Sequence, residues 1–379
     1  MKRPILCFSS NDWSDIASSK YHIMRYLGRD RPVLYIETMG IRNPHPSRRD
    51  LRRILEKIRL RRAGLRNVEA QVFVWSPLVI PYHGVPGVPW INRHYMARAI
   101  RKLADSLEIV DPIVWTYLPN SIDIIDELAP RTVIYHCIDD YAEFTGAPKE
   151  AFGRMERRLL RRADLTVVSS RRLLELKADE ARRIRYVPHG VDAQFFADRC
   201  QTDPTPADLK TMTKPVAGFV GRIGDWIDLE LLASVATSLP EWSFVLVGPA
   251  NVDTSLLDIL HNVHLLGRRE YDQIPSYIRE FDVALMPFRA NKLVDSVNPL
   301  KMYEYFAVGT PVVSVPLVEI AGLGPELVTI AKRDDFAEAI ERAVQLDCPE
   351  WREARLAFAK QRSWASVAET ILAECESAT

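Results

Sequence analysis

The sequence has no run of eighteen apolar residues, about the least that a membrane-crossing helix needs. Its first ten residues, MKRPILCFSS, carry two basic side chains but too short an apolar stretch for a secretory leader. Cysteine is scarce: Cys7, Cys137, Cys200, Cys348 and Cys375 are odd in number, scattered, and never form a CxxC pair. That pattern excludes a disulfide framework and a zinc site, and fits small buried hydrophobes in a reducing compartment. The glycine fingerprint GxGxxG is missing from the first strand-to-helix turn, which speaks against a dinucleotide cofactor there. Short repeats and low-complexity stretches are absent as well. What remains is a chain of 379 residues, 47% hydrophobic and 26% charged, which has the composition of a soluble protein with room for two ordinary domains.

A formal net charge of zero hides an imbalance. Residues 1–190 hold 33 Lys and Arg against 22 Asp and Glu, and the remainder hold 17 against 28. Much of the excess sits in RRDLRRILEKIRLRRAGLR, Arg48 to Arg66, and in RMERRLLRRAD, Arg154 to Asp164. The first half therefore suits an anionic partner. No nucleic-acid motif accompanies the arginines and no aromatics interleave with them. Leu51, Ile54, Leu55 and Ile58 instead fall at helical spacing between them, as in an interfacial helix on an anionic membrane. A solvated helix packing an apolar stripe on its own domain explains the same spacing.

Short β-rich runs alternate with helix-length segments throughout, which predicts an α/β protein with parallel sheets. In the first half the strands are expected at 4–10, 33–37, 72–76, 113–118, 132–138 and 164–170, with helices such as 93–107 and 150–163 between them. The segment 184–192 is read as a closing loop. The proline-bearing stretch 198–215 reads as an interdomain linker. A second strand series is expected at 216–221, 243–248, 263–267, 283–288, 311–315 and 327–331, and a closing helix at 363–376.

The most informative stretch is SVNPLKMYEYFAVGTPVV, Ser296 to Val313. Asn298 is expected to cap a helix with Pro299 at its first position, and Gly309 to end it in the left-handed conformation. A helix start attracts anions, and Lys301 in the first turn adds a point charge where a phosphate would sit. Glu304, three residues on, shares its face, and a carboxylate there can accept from the neighbouring hydroxyls of a ribose. Lysine for phosphate and carboxylate for ribose point to a nucleoside diphosphate. The plain alternative is an ordinary Lys–Glu pair. GFVGRIGDW (218–226) adds a strand ending in a glycine turn, with Gly221 for close backbone approach and Arg222 as a second phosphate contact. HLLGRREYD (264–272) offers Arg268 at the edge of the base.

These elements, in this order, resemble the donor domain of GT-B glycosyltransferases: PHGVD (188–192), GFVGRI (218–223), FVLVGP (244–249), NVHLLG (262–267), DVALMPF (282–288) and PLKMYEYFAVGTPVV (299–313). Among the members, the chain is similar to bacterial polysaccharide transferases of the teichuronic-acid type and to the xanthan glucuronosyltransferase. The resemblance covers nearly the whole chain, with specific motifs from about 186 to 315. It implies two Rossmann-like domains facing across a cleft: an acceptor domain at 1–195 and a nucleotide-sugar donor domain at 210–350. Segment 351–379 would return to the first domain. Lys301 would then hold the diphosphate and Glu304 the ribose, with Arg222, Gly221, Asn298, Leu300 and Arg268 around the donor. Two departures from the family stand out. Retaining members of its largest branch carry Glu-x7-Glu, whereas Ser296 stands eight residues before Glu304, and the usual lysine after the GR turn is missing from GRIGDWIDLE. Both put the retaining mechanism in doubt, and the Ser296 departure favours inversion.

Candidate catalytic residues cluster in VIYHCIDDYAEF (133–144), a strand running into a loop at its carboxyl end. An inverting transferase needs a base to take the acceptor hydroxyl's proton. Asp139 matches the base aspartate of the xanthan-type enzymes, His136 is second, and Asp140 third. A helix cap or turn is the bland role for the two aspartates. No metal is expected, because an Asp-x-Asp metal motif belongs with a nucleotide site in the first half, and the nucleotide features lie in the second. Asn11, Asp12 and His22 in SSNDWSDIASSKYHIMRYL (9–27) are candidate acceptor contacts. The resulting expectation is a metal-independent transferase using a nucleotide sugar, UDP first among the candidates. Its acceptor is a lipid-diphosphate-linked or glycan molecule, and it works at the inner face of the cell membrane. A retaining transferase using His136, a nucleotide-sugar 2-epimerase and a non-catalytic sugar-nucleotide binder stay open.

Overall fold

The structure, a computed structural model, describes residues 2–13, 17–39, 64–79, 87–144, 146 and 148–377. The expected interfacial helix around Leu51, Ile54, Leu55 and Ile58 lies outside the described residues. The chain divides into two compact units, residues 1–188 with 367–379, and residues 189–366.

Among its described residues the first unit has eight strands: β1 (Ile5–Phe8), β2 (Val33–Ile36), β3 (Arg66–Glu69), β4 (Val72–Trp75), β5 (Ile113–Thr116), β6 (Thr132–Cys137), β7 (Leu165–Val168) and β8 (Ile184–Tyr186). They lie in the order β3-β4-β2-β1-β5-β6-β7-β8. Every pairing is parallel except β3 with β4. The central strands are buried on both faces, as a parallel sheet covered by helices requires. Among the described residues the helices are α1 (Ser19–Leu27), α2 (Val88–Ser106), α3 (Ile122–Leu128), α4 (Lys149–Arg162) and α5 (Arg171–Lys177). In α4, Phe152, Glu156, Leu159 and Leu160 recur at helical spacing and are buried. Its outward arginines are partly spent on the same unit. Arg158 reaches Asp123 and Asp126, both at 2.7 Å, and Arg161 reaches Glu180 at 2.6 Å.

Two strands escape the sequence reading. Within the segment read as a loop, β8 is three residues long and incompletely buried, so it shows no hydrophobic alternation. A polar edge strand, β3 bears Arg66 and Glu69, a composition that protects an edge but does not announce a strand. The closing helix Trp364–Glu376 belongs to the first unit from Val367 onward, where Glu374 accepts from Arg183 at 2.8 Å and Arg185 at 2.9 Å.

The second unit contains β9 (Val216–Val220), β10 (Ser243–Val247), β11 (Val263–Gly267), β12 (Val283–Met286), β13 (Val312–Ser314) and β14 (Thr329–Ile330), in the order β11-β10-β9-β12-β13-β14. All pairings are parallel. Its helices include α6 (Ala193–Thr202), α7 (Leu229–Ser238), α8 (Ile274–Arg279), α9 (Leu300–Val308), α10 (Phe336–Gln345) and α11 (Pro349–Lys360). The order runs outward from β9 in one direction and from β12 in the other, the doubly wound topology whose reversal point opens a crevice at the strand ends. The first unit repeats it, with the reversal between β1 and β5.

Two boundaries are corrected. The 198–215 segment is no linker: it belongs wholly to the second unit and begins inside α6. Leu209 is buried in the core, Arg279 donates to the Cys200 and Asp203 carbonyls at 2.7 and 2.8 Å, and Arg269 reaches Asp208 at 2.7 Å. Its polar side chains look like those of a linker because their partners come from distant elements. The expected return to the first domain at 351 is likewise late. Helix α11 stays with the second unit, where buried Arg355 donates to the Gly309 and Glu326 carbonyls, both at 3.0 Å.

Candidate functional site

In the second unit the reversal point lies between β9 and β12, which pair only at Ala217 and Gly218. Beyond that the strands part, and the Val220 N–H donates not to β12 but to the Tyr305 hydroxyl of α9 at 2.9 Å. A helix side chain thus closes the ladder where the strand ends. The turns after β9 and β10 press together, with Gly221 and Gly248 at φ 154° and 150°. A Cβ on Gly248 would lie 1.8 Å from the Gly221 carbonyl oxygen, so only glycine fits. Arg222 follows this turn and is half-buried.

Helix α9 begins beside this region of the fold, one residue later than expected. Pro299, not Asn298, is the capping residue, and no side chain caps the helix start. The Asn298 amide is instead directed to Glu319 Oε1 at 3.4 Å. Gly309 ends the helix at φ 80°, as expected. Lys301 Nζ donates to Glu304 Oε2 at 2.7 Å. The Glu304 side chain is 1% exposed and that of Lys301 17%, so the cation sits at the rim and the carboxylate beneath it. Glu304 Oε1 is buried and has no hydrogen-bond partner among the described groups. Burial raises the carboxyl's pKa, opposed by the Lys301 charge and hydrogen bond. A buried carboxylate oxygen without a partner can accept a hydrogen bond from a hydroxyl. Leu300 is half-buried in the first turn, and Arg268 is exposed, 3.8 Å from Glu270.

In the first unit the strand ends at the β1/β5 reversal carry Ser9, Asn11 and Tyr117. Ser9 Oγ meets the Tyr35 hydroxyl at 2.5 Å, and the Asn11 N–H donates to Ser9 Oγ at 3.1 Å. Lys20, in the first turn of α1, is only 4% exposed; it donates to Asn11 Oδ1 at 2.7 Å and lies 5.8 Å over the Tyr117 ring. Sequence reading passed over this lysine. Its signal was a cation at a helix start, where the dipole disfavours it. Asp12 is half-buried in the same loop, and His22 is buried on α1 edge-on to Tyr21.

His136 and Asp139 separate at the end of β6. His136 is 1% exposed and stacks on Tyr117 with ring centroids 5.0 Å apart. Asp139 lies in the loop beyond and is half-buried. Burial raises its pKa, Lys20 lowers it, and Asp140 raises it. Asp140 is tied to Lys177 at 3.3 Å. Asn11, Asp12, His22, His136 and Asp139 thus belong to the first unit, and Lys301, Glu304, Arg222, Gly221, Asn298, Leu300 and Arg268 to the second.

A family model described as glycosyl transferases group 1 matches residues 214–345, the sheet and helices that carry Gly221, Lys301 and Glu304. The matched stretch lies wholly within the second unit. Over 253 residues the chain is 25% identical to TuaH of Bacillus subtilis, a protein named as a glycosyltransferase of teichuronic acid biosynthesis. That match covers 61% of this chain and 64% of TuaH, so the chain spans somewhat under two thirds of that relative's length. Among solved structures, sucrose-phosphate synthase from Thermosynechococcus elongatus superposes with a TM-score of 0.70 at 16% identity, covering 98% of this chain and 97% of that one. Anabaena HepE, solved in complex with UDP-glucose, gives 0.69 at 15% identity over 99% of each. These likenesses give the fold, which is GT-B.

Lys301 and Glu304 share a helix face, as expected, and form the ion pair that the plain alternative also gives, because both sit on one helix turn. What the sequence reading missed is its support. Tyr305, one residue on, fastens α9 to the end of β9, and so couples the helix start to the glycine turn.

Proposed function

We propose that the protein transfers a sugar from a nucleoside-diphosphate sugar to a hydroxyl acceptor, with inversion at the anomeric carbon. The observation that carries this reading is Glu304, a buried carboxylate whose free oxygen suits a ribose hydroxyl and whose other oxygen holds Lys301 at the rim. The acceptor oxygen attacks the anomeric carbon while Asp139 takes its proton. The bond from that carbon to the diphosphate breaks, and its electron pair leaves with the phosphate oxygen. Lys301, with Arg222 from the glycine turn, meets the charge that develops there. These cations supply locally what a divalent metal supplies elsewhere, so the reaction is proposed as metal-independent. The UDP-glucose held by HepE supports uridine as the base, and the TuaH name supports a surface polysaccharide acceptor, lipid-linked or glycan.

The charge surplus of residues 1–190 supports peripheral binding of the first unit to an anionic cytoplasmic membrane face. Trp90 and Ile91, 62% and 47% exposed at the start of α2, suit the headgroup layer. Sedimentation with anionic against neutral vesicles tests this part.

Calorimetric titration with UDP, GDP and ADP, without metal, tests the donor site. Saturable binding of one nucleotide, weakened by Lys301→Ala and by Glu304→Ala, supports the reading. Failure of all three to bind refutes it for these donors.

A further inference from the structure

Asp139 and Asp140 are adjacent in sequence but enter different surroundings. Asp140 Oδ1 lies 3.3 Å from Lys177 Nζ, whose other partner is Glu156 Oε2 at 2.9 Å. The second Glu156 oxygen accepts from the Tyr135 hydroxyl at 2.7 Å and lies 3.8 Å from Cys137 Sγ. Lys177 and Glu156 are 8% and 5% exposed, and Tyr135 and Cys137 are fully buried. One ammonium therefore joins α4, α5, β6 and the loop beyond β6 in a buried network. The backbone on either side is pinned independently. Ser169 donates to the Ile138 carbonyl at 3.2 Å, the Glu143 N–H to the Asp140 carbonyl at 2.9 Å, and the Tyr141 hydroxyl to Ser10 Oγ at 3.2 Å.

We propose that Lys177, oriented by Glu156, is a positioning residue for the transfer reaction. It captures Asp140, and so leaves Asp139 as the one carboxylate of the pair that acts on the acceptor. The inference rests on the reading of Asp139 as the base. Without the ammonium, the buried Glu156 and the half-buried Asp140 next to Asp139 would both lose their compensating cation. Among the described residues, the charged and titratable groups facing Asp139 are Lys20 from α1 and Asp140 and Tyr141 from its own loop, and the Cys137 thiol of β6 reaches the Asp139 backbone carbonyl at 3.5 Å. Lys177 also balances Glu156. Its loss makes the net surroundings of Asp139 more negative, and a more negative surrounding holds a proton on a carboxyl to higher pH.

The test compares the full-length wild type with Lys177→Met, Lys177→Arg, Asp140→Asn and Lys177→Met/Asp140→Asn. Carboxyl-carbon NMR titration of aspartate-labelled protein reads the two sites, assigned with Asp139→Asn and Asp140→Asn. Release of nucleoside diphosphate gives kcat, KM and their pH profiles. In Lys177→Met we expect the Asp139 titration and the acid limb of kcat/KM to move up together by about one pH unit. The same variant should lose roughly tenfold or more in kcat at unchanged donor KM. Adding Asp140→Asn should bring the limb back, and Lys177→Arg should keep it at the wild-type position.

A Lys177→Met protein that only melts earlier, with the limb and the Asp139 titration unmoved, overturns the positioning role. If Lys177→Met does not fold, Asp140→Asn alone decides. A loss within about tenfold and a downward limb shift support the proposal, whereas a loss equal to that of Asp139→Asn overturns it. Failure of the base reading shows separately, as undiminished turnover in Asp139→Asn, whatever the NMR titration gives.

Discussion

Glu304 in the second unit and Asp139 in the first are both carboxylates at strand-end crevices, and burial pushes both pKa values up. They differ in where the opposing cation comes from. For Glu304 it is Lys301, three residues away on the same helix turn and 2.7 Å distant. For Asp139 it is Lys20, brought from another helix by the sheet order, while the neighbouring Asp140 is drawn off by Lys177. The first arrangement is a local grip, suited to a ligand that is held. The second is a tertiary arrangement in which burial and Asp140 raise the carboxyl's pKa against Lys20, an arrangement suited to a proton that moves.

The largest effect that sharpens this contrast is expected from Asp139→Asn. Turnover should fall by about 10²–10⁴ while nucleotide affinity stays at the wild-type value, as measured by product release and calorimetry. The same variant should melt slightly higher at neutral pH. A folded carboxyl with a raised pKa stabilises below the ordinary carboxylate pKa, and that contribution is lost as pH rises through the elevated value. Removing the buried charge therefore helps above it, and the difference should fade on acidification. A lower melting temperature at pH 7.5 would show that Asp139 is chiefly a structural turn residue.

Next in size, Gly248→Ala should cost about 3 kcal/mol in denaturant unfolding, since its Cβ would collide with the Gly221 carbonyl and its φ is strained. Glu304→Ala should raise the dissociation constant for the nucleotide about 10- to 100-fold, and leave turnover at saturating donor far less affected than in Asp139→Asn. Equal losses in kcat from both variants would dissolve the division between holding and proton transfer.

The smallest effect expected is in pH dependence. Ribose hydroxyls donate to the carboxylate form, so nucleotide affinity should decline as pH falls through the raised pKa of Glu304. The decline should begin at higher pH than for an ordinary glutamate and vanish in Glu304→Gln, as followed by calorimetry.

The second unit was largely legible because its signals are local. All six of its expected strands form, and Lys301 and Glu304 meet because three residues of helix bring any such pair together. Gly309 could be placed from its own conformational freedom. Asn298 was misjudged by one position: the good capping side chain turned to Glu319, a partner that sequence spacing does not reveal.

The first unit shows the opposite balance. Its strand runs announced a parallel sheet, but β3 and β8 are too polar or too short to carry a pattern. The exception in the second unit is the 198–215 stretch, which read as a linker because its partners lie tens of residues away. By itself the sequence determined the α/β class, the strand series and the Lys301–Glu304 face, since periodicity and helix geometry act over a few residues. Only the tertiary structure decided that Lys20 sits buried at the β1/β5 reversal, that Tyr305 ties α9 to β9, and that Lys177 takes Asp140 and not Asp139. Those pairings arise where distant segments are packed out of water, and there a charge must find whichever partner the fold has brought within reach.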